Sequence, residues 1–499
     1  MLSYLTHFDP AALFTLNNIV ALFVGGFVGM LIGALPGLGA AFAMVMLLPF
    51  TYNMEPISGI LLLLSGFQAA NYGGSISSII LSVPGTPGAV VTLFDGAPMA
   101  KKNMPGKALA YSLYSSTIGG IIGALIVLLL AQPIATLAMQ LATPEYFLIA
   151  AIGLCIAVTI SAKDLVKGLM SVMLGLAIST MGTDMFRGIY RFTQGSQYLT
   201  DGVHITAMLI GVFALPEIIG MIGETLHTSV ATKGESLKVR LSWAEFKGVI
   251  KTVLVSSLLG TFIGTIPGLG SATAPWITYP AAEKMSSTKG KTPFGTGNPE
   301  GIASAEAANN AGVGGELIPL MVFGIPSTPV VALVLSAFII HGIKPGPAIF
   351  TENPSMVCLI LVGFMLTTIV MYLLGHVFTP IFVRALVIPT HILIPMVLML
   401  SVVGVFAADR VVFDVLLAVL LGALAFFMAK VNFSLPGFVL AYVLGKLIEE
   451  NYRRTLMISG GSLSIFVTRP QSVILICIFL AIIGYIVYFT AIKKRALSE

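Results

Sequence analysis

The sequence predicts an all-α polytopic membrane protein, with roughly 10–12 transmembrane helices in two inverted-topology repeats that contain broken helices and re-entrant or helical hairpins. Composition, the spacing of apolar runs and an internal repeat support this prediction. Of the 499 residues, 57% are hydrophobic and 9% are charged, whereas soluble domains carry roughly 25% charged residues. So few charges cannot cover a water-facing surface, which excludes a soluble enzyme, a nucleic-acid binder and a disordered chain.

Net charge and cysteine content add little about partners. The net charge is +5, but basic residues of membrane proteins gather in cytoplasmic loops and set orientation. Cys155, Cys358 and Cys477 are far apart and form no CxxC pair, so neither a disulfide framework nor a zinc site is expected. No basic region precedes the first apolar run, so we expect no cleaved signal peptide.

Apolar runs predict the individual spans at about 20 residues each. They lie near residues 16–35, 57–82, 108–131, 145–161, 168–183, 203–223, 248–266, 313–341, 355–375, 387–408, 411–428 and 471–492. Shorter apolar stretches lie near 39–52, 271–282 and 436–445. Their length is typical of re-entrant or half-helical segments rather than full spans.

An internal repeat divides the chain. Segment 32–39 (IGALPGLG) matches segment 263–270 (IGTIPGLG) at an offset of 231 positions, from Pro36 to Pro267. A second motif comprises Gly73-Gly74 with Gly314-Gly315 at an offset of 241, and PGTP at 84–87 with PSTP at 326–329 at an offset of 242. Two motifs that occur in the same order in both halves are hard to attribute to chance. The growth in offset fits an insertion within the polar stretch 283–312.

Charge predicts that the two repeats have opposite topology. The first Lys or Arg is Lys101, so the first half enters the membrane from a side without basic residues, which is the outside. Five basic residues between 233 and 251 precede the second half, which therefore enters from the inside. Arg187 and Arg191 fall outside, against this trend. We expect a first membrane repeat at 1–225, a basic cytoplasmic connector at 226–251 and a second membrane repeat at 252–499.

The doubled Pro-Gly-Leu-Gly motif predicts a helix break in each half, because Pro removes a backbone donor and Gly permits turns. Inside a bilayer, broken backbone is tolerated only where it is buried in protein or lines a water-filled cavity. The helix that starts after the break presents free N–H groups that attract anions. The candidate substrate-binding residues here are Gly37, Gly39, Gly268, Gly270, Ser271 and Thr273. Four-residue glycine spacing also fits close helix packing, and the two interpretations are compatible.

The second motif predicts a helical hairpin in each half, with the Pro-x-Thr-Pro turn at its tip. Two tips that face each other would place four helix ends around one cavity, and inverted repeats of this kind are typical of secondary transporters. The candidate binding side chains are Asn71, Ser75, Thr86, Asn309, Asn310, Ser327 and Thr328. The alternative is that these Pro/Gly clusters form exposed turns.

Acidic and basic residues in these segments restrict the chemistry. Segments 31–110 and 260–350 contain no Arg, so an anion would be held by helix-end amides, hydroxyls and a bound cation rather than by an Arg clamp. Glu306 and Glu316 are candidates for binding a coupling H⁺ or Na⁺, the alternative being solvated or interfacial carboxylates. The sequence has no HExxH, no complete P-loop and no GxSxG, so catalytic metal, ATP and serine-hydrolase chemistry have no support.

These motif blocks resemble the large membrane subunit of the tripartite tricarboxylate transporter family. The resemblance rests on segments 29–39, 71–110, 260–270 and 309–350, with PGLG twice, YGGS at 72–75 and HGIKPGP at 341–347. With the apolar pattern it covers essentially the whole chain. Ser327 departs from the family pattern, in which we expect Gly.

The resemblance implies a multi-pass permease subunit in the bacterial inner (cytoplasmic) membrane. A periplasmic solute-binding protein would capture an organic anion, often a di- or tricarboxylate such as citrate, and deliver it to this subunit and a small four-span membrane subunit. Transport is implied to be symport with a cation, H⁺ or Na⁺, without ATP. No cofactor beyond that cation, no metal, no nucleic acid and no enzyme activity is expected.

Other functions remain as alternatives. An anion channel can also use discontinuous helices, although the sequence has no charged ring motif, and a secondary carrier could work without a binding protein. An intramembrane enzyme would need a nucleophile–base pair or metal ligands, and none stands out. A non-transport scaffold would leave the duplicated breaks without a reason.

Overall fold

The computed structural model describes residues 3–161, 164–222, 237–286, 292–385 and 390–496. Helices dominate the described chain, which confirms the predicted all-α fold. Within those ranges the only sheet is an antiparallel pair, β1 (Gly182–Thr183) and β2 (Tyr190–Arg191). Two short 3₁₀ helices span Ser3–His7 and Gln197–Leu199.

The first half of the chain forms nine helices within the described ranges. They are α1 (Pro10–Leu13), α2 (Leu16–Ala34), α3 (Gly39–Thr51), α4 (Pro56–Leu81), α5 (Ala89–Lys101), α6 (Pro105–Ala138), α7 (Thr143–Ser161), α8 (Leu165–Ser179) and α9 (Ile205–Ile222). The predicted spans near 16–35 and 57–82 correspond to α2 and α4 within one residue at each end. The short stretch near 39–52 corresponds to α3.

The second half continues with helices α10 to α21. They are α10 (Trp243–Lys247), α11 (Ile250–Gly264), α12 (Gly270–Met285), α13 (Pro299–Phe323), α14 (Pro329–Ile340), α15 (Ile349–Glu352), α16 (Pro354–Ala385), α17 (Thr390–Asp409), α18 (Val412–Lys430), α19 (Leu435–Ile458), α20 (Ile465–Thr468) and α21 (Pro470–Ala496). Residues 223–236, which include the first part of the basic connector predicted at 226–251, lie outside the described ranges.

Two predicted boundaries are wrong. The span expected near 313–341 is two helices, and its first helix, α13, already begins at Pro299 within the stretch that looked most polar. That helix is buried along its whole length except at its first and last residues, so its small and polar residues face protein rather than lipid. The short stretch near 436–445 is not a half-helix, because it belongs to the 24-residue helix α19.

Membrane-crossing length is clearest in four helices. Segments Leu16–Ala34, Pro105–Ala138, Pro354–Thr379 and Val412–Lys430 are long and apolar enough to cross a membrane, and other apolar helices are 10–17 residues long. Large apolar side chains are exposed along these helices, for example Leu129 and Leu420, as expected for surfaces that contact lipid. The fold is that of an all-α polytopic membrane protein, while the number of spans stays a prediction.

Glycines bring α2 onto α4 and α11 onto α13. A Cβ at Gly29 or Gly33 would overlap the backbone carbonyl of α4 that it faces, at Gly66 or Ala70. In the second half, Gly260 and Gly264 contact Ala308 and Gly312 in the same way. These contacts match between the halves at the offset of 231 for α2 and α11, and at 242 for α4 and α13.

The matched contacts also correct the pairing of the Gly-Gly motifs. Gly73 faces the carbonyl oxygen of Met30, and Gly315 faces that of Thr261. Met30 and Thr261 are 231 positions apart, so Gly73 corresponds to Gly315, not to Gly314. The offset is therefore 242 throughout α4 and α13, and Glu316 occupies the position that corresponds to Gly74.

One helix of each half packs against helices of the other half. Helix α5 contacts α12 and α13, while α14 contacts α3 and α4. Asp95 of α5, which is fully buried, accepts hydrogen bonds from the Tyr279 hydroxyl at 2.7 Å and from the backbone N–H groups of Gly297 and Asn298 at 2.8 and 2.7 Å. The two halves thus interlock around α4 and α13.

The remaining helices surround this centre. Helix α6 packs on α13 and α16 packs on α4, while α9 contacts α17 and α18, and α19 contacts α7 and α8. At one end of α19, Arg453 donates to Asp184 at 2.6 Å and to Glu449 at 2.9 Å. Arg453 holds the pKa of the Asp184 carboxyl well below its usual range. Arg191, which conflicted with the charge pattern, also donates to Glu449, at 2.7 Å.

Candidate functional site

Both Pro-Gly-Leu-Gly motifs interrupt a helix, as the sequence predicts. The chain leaves helical geometry at residues 35–38 and again at 265–269. Gly37 and Gly39 have φ of +83° and +70°, and Gly268 and Gly270 have φ of +90° and +64°. These left-handed conformations favour glycine, so the motif dictates the turn in both halves.

Each break contacts the hairpin tip of its own half. The Gly39 N–H donates to the Gly85 carbonyl at 3.0 Å, and the Gly268 N–H donates to the Ser327 carbonyl at 2.8 Å. Gly85 and Ser327 occupy corresponding positions in the two Pro-x-Thr-Pro turns. We call the first pairing, residues 35–39 with 82–88, the first junction, and the second, residues 265–269 with 324–328, the second junction.

A buried carboxylate closes the second junction. Glu316 accepts a hydrogen bond from the Ser271 backbone N–H, at the start of α12, at 2.5 Å. Its other oxygen accepts from the Thr328 hydroxyl at 2.5 Å and from the Ser327 hydroxyl at 3.4 Å. Thr328 in turn caps α14 by accepting from the Val331 N–H. The carboxylate therefore connects the starts of two helices.

The first junction contains no such carboxylate, because Gly74 stands at the position of Glu316. Thr86, the counterpart of Thr328, is buried and its hydroxyl has no hydrogen-bond partner. Helices α3 and α5 start without a side-chain cap. Asn309 of α13 lies directly against the start of α5, with its Oδ1 2.5 Å from where a Cβ of Gly88 would be.

Unpaired polar atoms concentrate where α4 faces α13. Both side-chain polar atoms of Asn309 and the Nδ2 of Asn71 are buried without a partner, although most buried polar groups in proteins are hydrogen-bonded. Along the sequences of α4 and α13, these asparagines lie between two direct hydrogen bonds that join the two helices. At one end Ser75 bonds to Glu306, and at the other Asn310 donates to the Gln68 carbonyl at 3.0 Å.

Glu306 is held by hydroxyl groups from three other helices. Its carboxylate accepts from Ser75 of α4 at 2.5 Å, from Ser116 of α6 at 2.7 Å and from Thr92 of α5. It is completely buried, as is Glu316. The alternative of solvated or interfacial carboxylates is therefore wrong for both residues.

The structure divides the predicted site residues into two groups. Buried and unpaired polar atoms belong to Asn71, Thr86 and Asn309. Residues whose polar side chains bond within the protein are Ser75, Thr273, Ser327, Thr328 and Asn310, the last of which leaves its Oδ1 unpaired. Thr273 donates to the carbonyl of Leu269, so its side chain bonds within the helix break of the second junction and not to the hairpin tip.

Sequence reasoning missed several residues that complete these contacts. Gln68, Thr92 and Ser116 bond across helices, and Asp95 joins the halves. The first three are ordinary polar residues inside apolar runs. Burying such groups without a partner costs free energy, so their position alone could have indicated that each has a hydrogen-bond partner on another helix. Among the described residues, no group of three or more His, Cys, Asp and Glu side chains is placed to hold a metal ion.

The break glycines should differ in their tolerance of substitution. Alanine at either Gly37 or Gly268 strains a left-handed conformation, at about 1–2 kcal/mol. At Gly268 a Cβ would also lie 2.8 Å from the Ala157 backbone nitrogen, whereas nothing lies within 4 Å at Gly37. We expect Gly268→Ala to lower the melting temperature of the purified protein more than Gly37→Ala. An equal or larger effect at Gly37 would contradict this packing.

Together, the fold and the two junctions define a class: an all-α polytopic membrane protein whose helix breaks meet hairpin tips beside buried polar groups. Residues 19–440 match the model of a described family, the "Tripartite tricarboxylate transporter TctA family". The chain belongs to the tripartite tricarboxylate transporter TctA family, as the sequence resemblance indicated. This is the family of the large membrane subunit of such transporters.

Two relatives from Agrobacterium vitis support this assignment. An "Uncharacterized 52.8 kDa protein in TAR-I ttuC' 3'region" is 33% identical over 464 residues, which cover 93% of this chain and 92% of that protein. An "Uncharacterized protein in TAR-II ttuC' 3'region" is 33% identical over 229 residues, covering 45% of this chain and 94% of that protein. No solved structure matches the chain.

Proposed function

We propose that the protein is the large permease subunit of a tripartite, binding-protein-dependent secondary transporter that imports organic anions by cation-coupled alternating access. The substrates are di- or tricarboxylates such as citrate. The other components are a periplasmic solute-binding protein and a small four-span subunit in the bacterial inner membrane.

One observation carries this proposal: the buried, unpaired polar atoms of Thr86 in the first junction and of Asn309 against Gly88, with a further unpaired atom on Asn71, three residues before Gly74 on α4. An unpaired buried polar group costs about 1–3 kcal/mol, which indicates that a ligand completes the hydrogen bonding of these residues. Amide N–H₂ and hydroxyl groups, together with uncapped helix starts, suit an anion.

The matched contacts favour inverted repeats in the proposed mechanism. Corresponding glycine contacts on α2–α4 and α11–α13, and corresponding hairpin tips, are what two structurally similar halves require. Their opposite orientation is proposed from the distribution of basic residues. Inverted repeats place the substrate near the bilayer midplane, and one group of helices moves against the other to give alternating access. The two halves here would be 1–225 and 252–499, joined by the connector at 226–251.

Glu306 and Glu316 are the candidates for the coupling cation, which is H⁺ or Na⁺. Both are buried carboxylates in contact with elements that meet at the junctions. Ionisable residues in such surroundings mark ion pathways in membrane proteins.

The test is uptake of radiolabelled citrate and other dicarboxylates into proteoliposomes that contain this subunit, its small subunit and the binding protein. We expect saturable uptake that requires the binding protein and accelerates when a Na⁺ or proton gradient is imposed. Non-saturable flux that ignores both would instead support a channel, and uptake without the binding protein would support a simple carrier.

A further inference from the structure

The two junctions differ by a single carboxylate. In the second junction, Glu316 receives a backbone N–H from the start of α12 and hydroxyls from the tip. In the first junction, the corresponding residue is Gly74, and the corresponding hydroxyl, on Thr86, has no partner. The second junction thus has a carboxylate bonded to its tip, whereas at the first junction the tip hydroxyl has none, and Glu306 bonds instead to Ser75, Thr92 and Ser116.

We propose that Glu316 is a tethered carboxylate that does for the second junction what a carboxylate of the bound organic anion does for the first. The inference rests on the proposed function and locates one carboxylate of the substrate. That carboxylate binds beside the starts of α3 and α5, where it receives hydrogen bonds from the Thr86 hydroxyl and the Asn309 amide. The substrate carboxylate therefore binds at the first junction and not at the second, although the two halves correspond in structure.

Asn309 provides the independent argument for a ligand at this helix start. It is 1% exposed, both of its polar side-chain atoms are unpaired, and it is in contact with the Gly88 position that precedes α5. Its neighbour Asn310 is bonded to Gln68, so a buried asparagine on this helix can find partners within the protein. Asn310 leaves only its Oδ1 unpaired, whereas both polar side-chain atoms of Asn309 lack a partner beside the first junction.

The internal carboxylate also explains why only one junction receives substrate. A second anion next to Glu316 would have to compete for the Thr328 and Ser327 hydroxyls and the Ser271 N–H that Glu316 already holds. Removing the Glu316 side chain should therefore convert the second junction into an additional site for a free carboxylate.

Formate tests both junctions, because it is the smallest free carboxylate and the experiment needs only the purified full-length chain. Wild type is expected to show one saturable rise of melting temperature with sodium formate that sodium chloride at equal ionic strength does not reproduce. Glu316→Gly should have a lower melting temperature than wild type in the absence of formate. Its melting temperature should rise with formate in two saturable phases, one more than in wild type. Glu316→Gln is the matched control: it removes the charge but fills the space, so it should show no additional phase.

A second pair of variants tests the first junction without disturbing Glu316. Thr86→Val should weaken the wild-type formate response about 10-fold or more without lowering the melting temperature in the absence of formate. Thr328→Val, the corresponding change in the second junction, should lower that melting temperature but keep the formate response. This pair remains informative if Glu316→Gly does not fold.

Three results would overturn the inference. They are no formate response in wild type, an equal formate response in Glu316→Gly and Glu316→Gln, and a response that Thr328→Val removes while Thr86→Val keeps it. None of these depends on the partner proteins or on transport, so the inference can fail while the proposed transport function stands. Conversely, absence of organic-anion uptake in proteoliposomes would refute the proposed function while the formate response could still be measured.

Discussion

Replacing Asn309 by leucine is expected to raise the KM for organic-anion uptake about 10- to 100-fold, because it removes hydrogen bonds to a charged group worth about 1.5–3 kcal/mol. The same change should not lower the free energy of unfolding. Leucine has the same branching and the same number of side-chain heavy atoms as asparagine, and the polar atoms that it replaces are buried without partners. A residue that is needed for substrate binding but does not stabilise the folded protein is expected at a ligand site.

The adjacent residue supplies the control. Asn310 donates to the Gln68 carbonyl at 3.0 Å and to the Met371 sulfur at 3.3 Å. Asn310→Leu should therefore lower the free energy of unfolding by about 1–3 kcal/mol.

Uptake kinetics in proteoliposomes and denaturant or thermal unfolding of the purified variants measure the two effects separately. If Asn309→Leu were the less stable variant, or left the KM unchanged, the first junction would not be the substrate site.

Local backbone chemistry made the helix breaks predictable. Pro36 and Pro267 cannot continue a helix, and the glycines that follow them adopt left-handed conformations. Both effects act within a few residues, so they can be recognised from the sequence. The breaks at 35–38 and 265–269 follow directly.

Burial against protein was not predictable in the same way. Segment 299–312 is rich in Ala, Gly, Asn and Glu, and looked like a polar insertion. It forms the first part of α13, whose neighbours α6, α11, α12 and α5 enclose it. Hydropathy measures compatibility with lipid. A helix that is surrounded by protein inside the membrane region can therefore be polar, and a hydropathy analysis does not detect it.

The partners of polar side chains were also beyond the sequence. Glu306 and Glu316 were correctly singled out as unusual, but what they bond depends on contacts between distant segments. Ser75 and Glu306 are 231 positions apart in the chain. The Gly-Gly motif allowed two alignments one residue apart, and only the contacts of Gly73 and Gly315 decide between them. That one-residue difference places Glu316 opposite Gly74 and makes the difference between the junctions visible.

The glycine pattern had two interpretations, helix packing and helix breaking, and the structure assigns different glycines to each. Gly33 and Gly264 have ordinary helical backbone and face the carbonyls of Ala70 and Gly312, so they serve packing. Gly37 has φ of +83° with nothing within 4 Å of a Cβ, so it serves the break alone. Gly268 serves both.

Leucine at Gly33 or Gly264 is therefore expected to prevent folding, because no side-chain rotation can relieve an overlap between Cβ and a helix backbone. Even small excess volume in a packed core costs about 1–3 kcal/mol, and here two helices would have to separate along their length. Size-exclusion chromatography of the detergent-extracted protein should show aggregate or no protein for both variants.

Gly220→Leu is the matched control, since Gly220 lies in α9, is exposed, and has nothing within 4 Å of a Cβ. This variant should elute as a single peak with a wild-type melting temperature. A well-folded Gly264→Leu protein would mean that α11 and α13 do not approach as closely as the junction geometry requires. The position of Ser271 relative to Glu316 would then lose its basis, because α12 follows directly from α11.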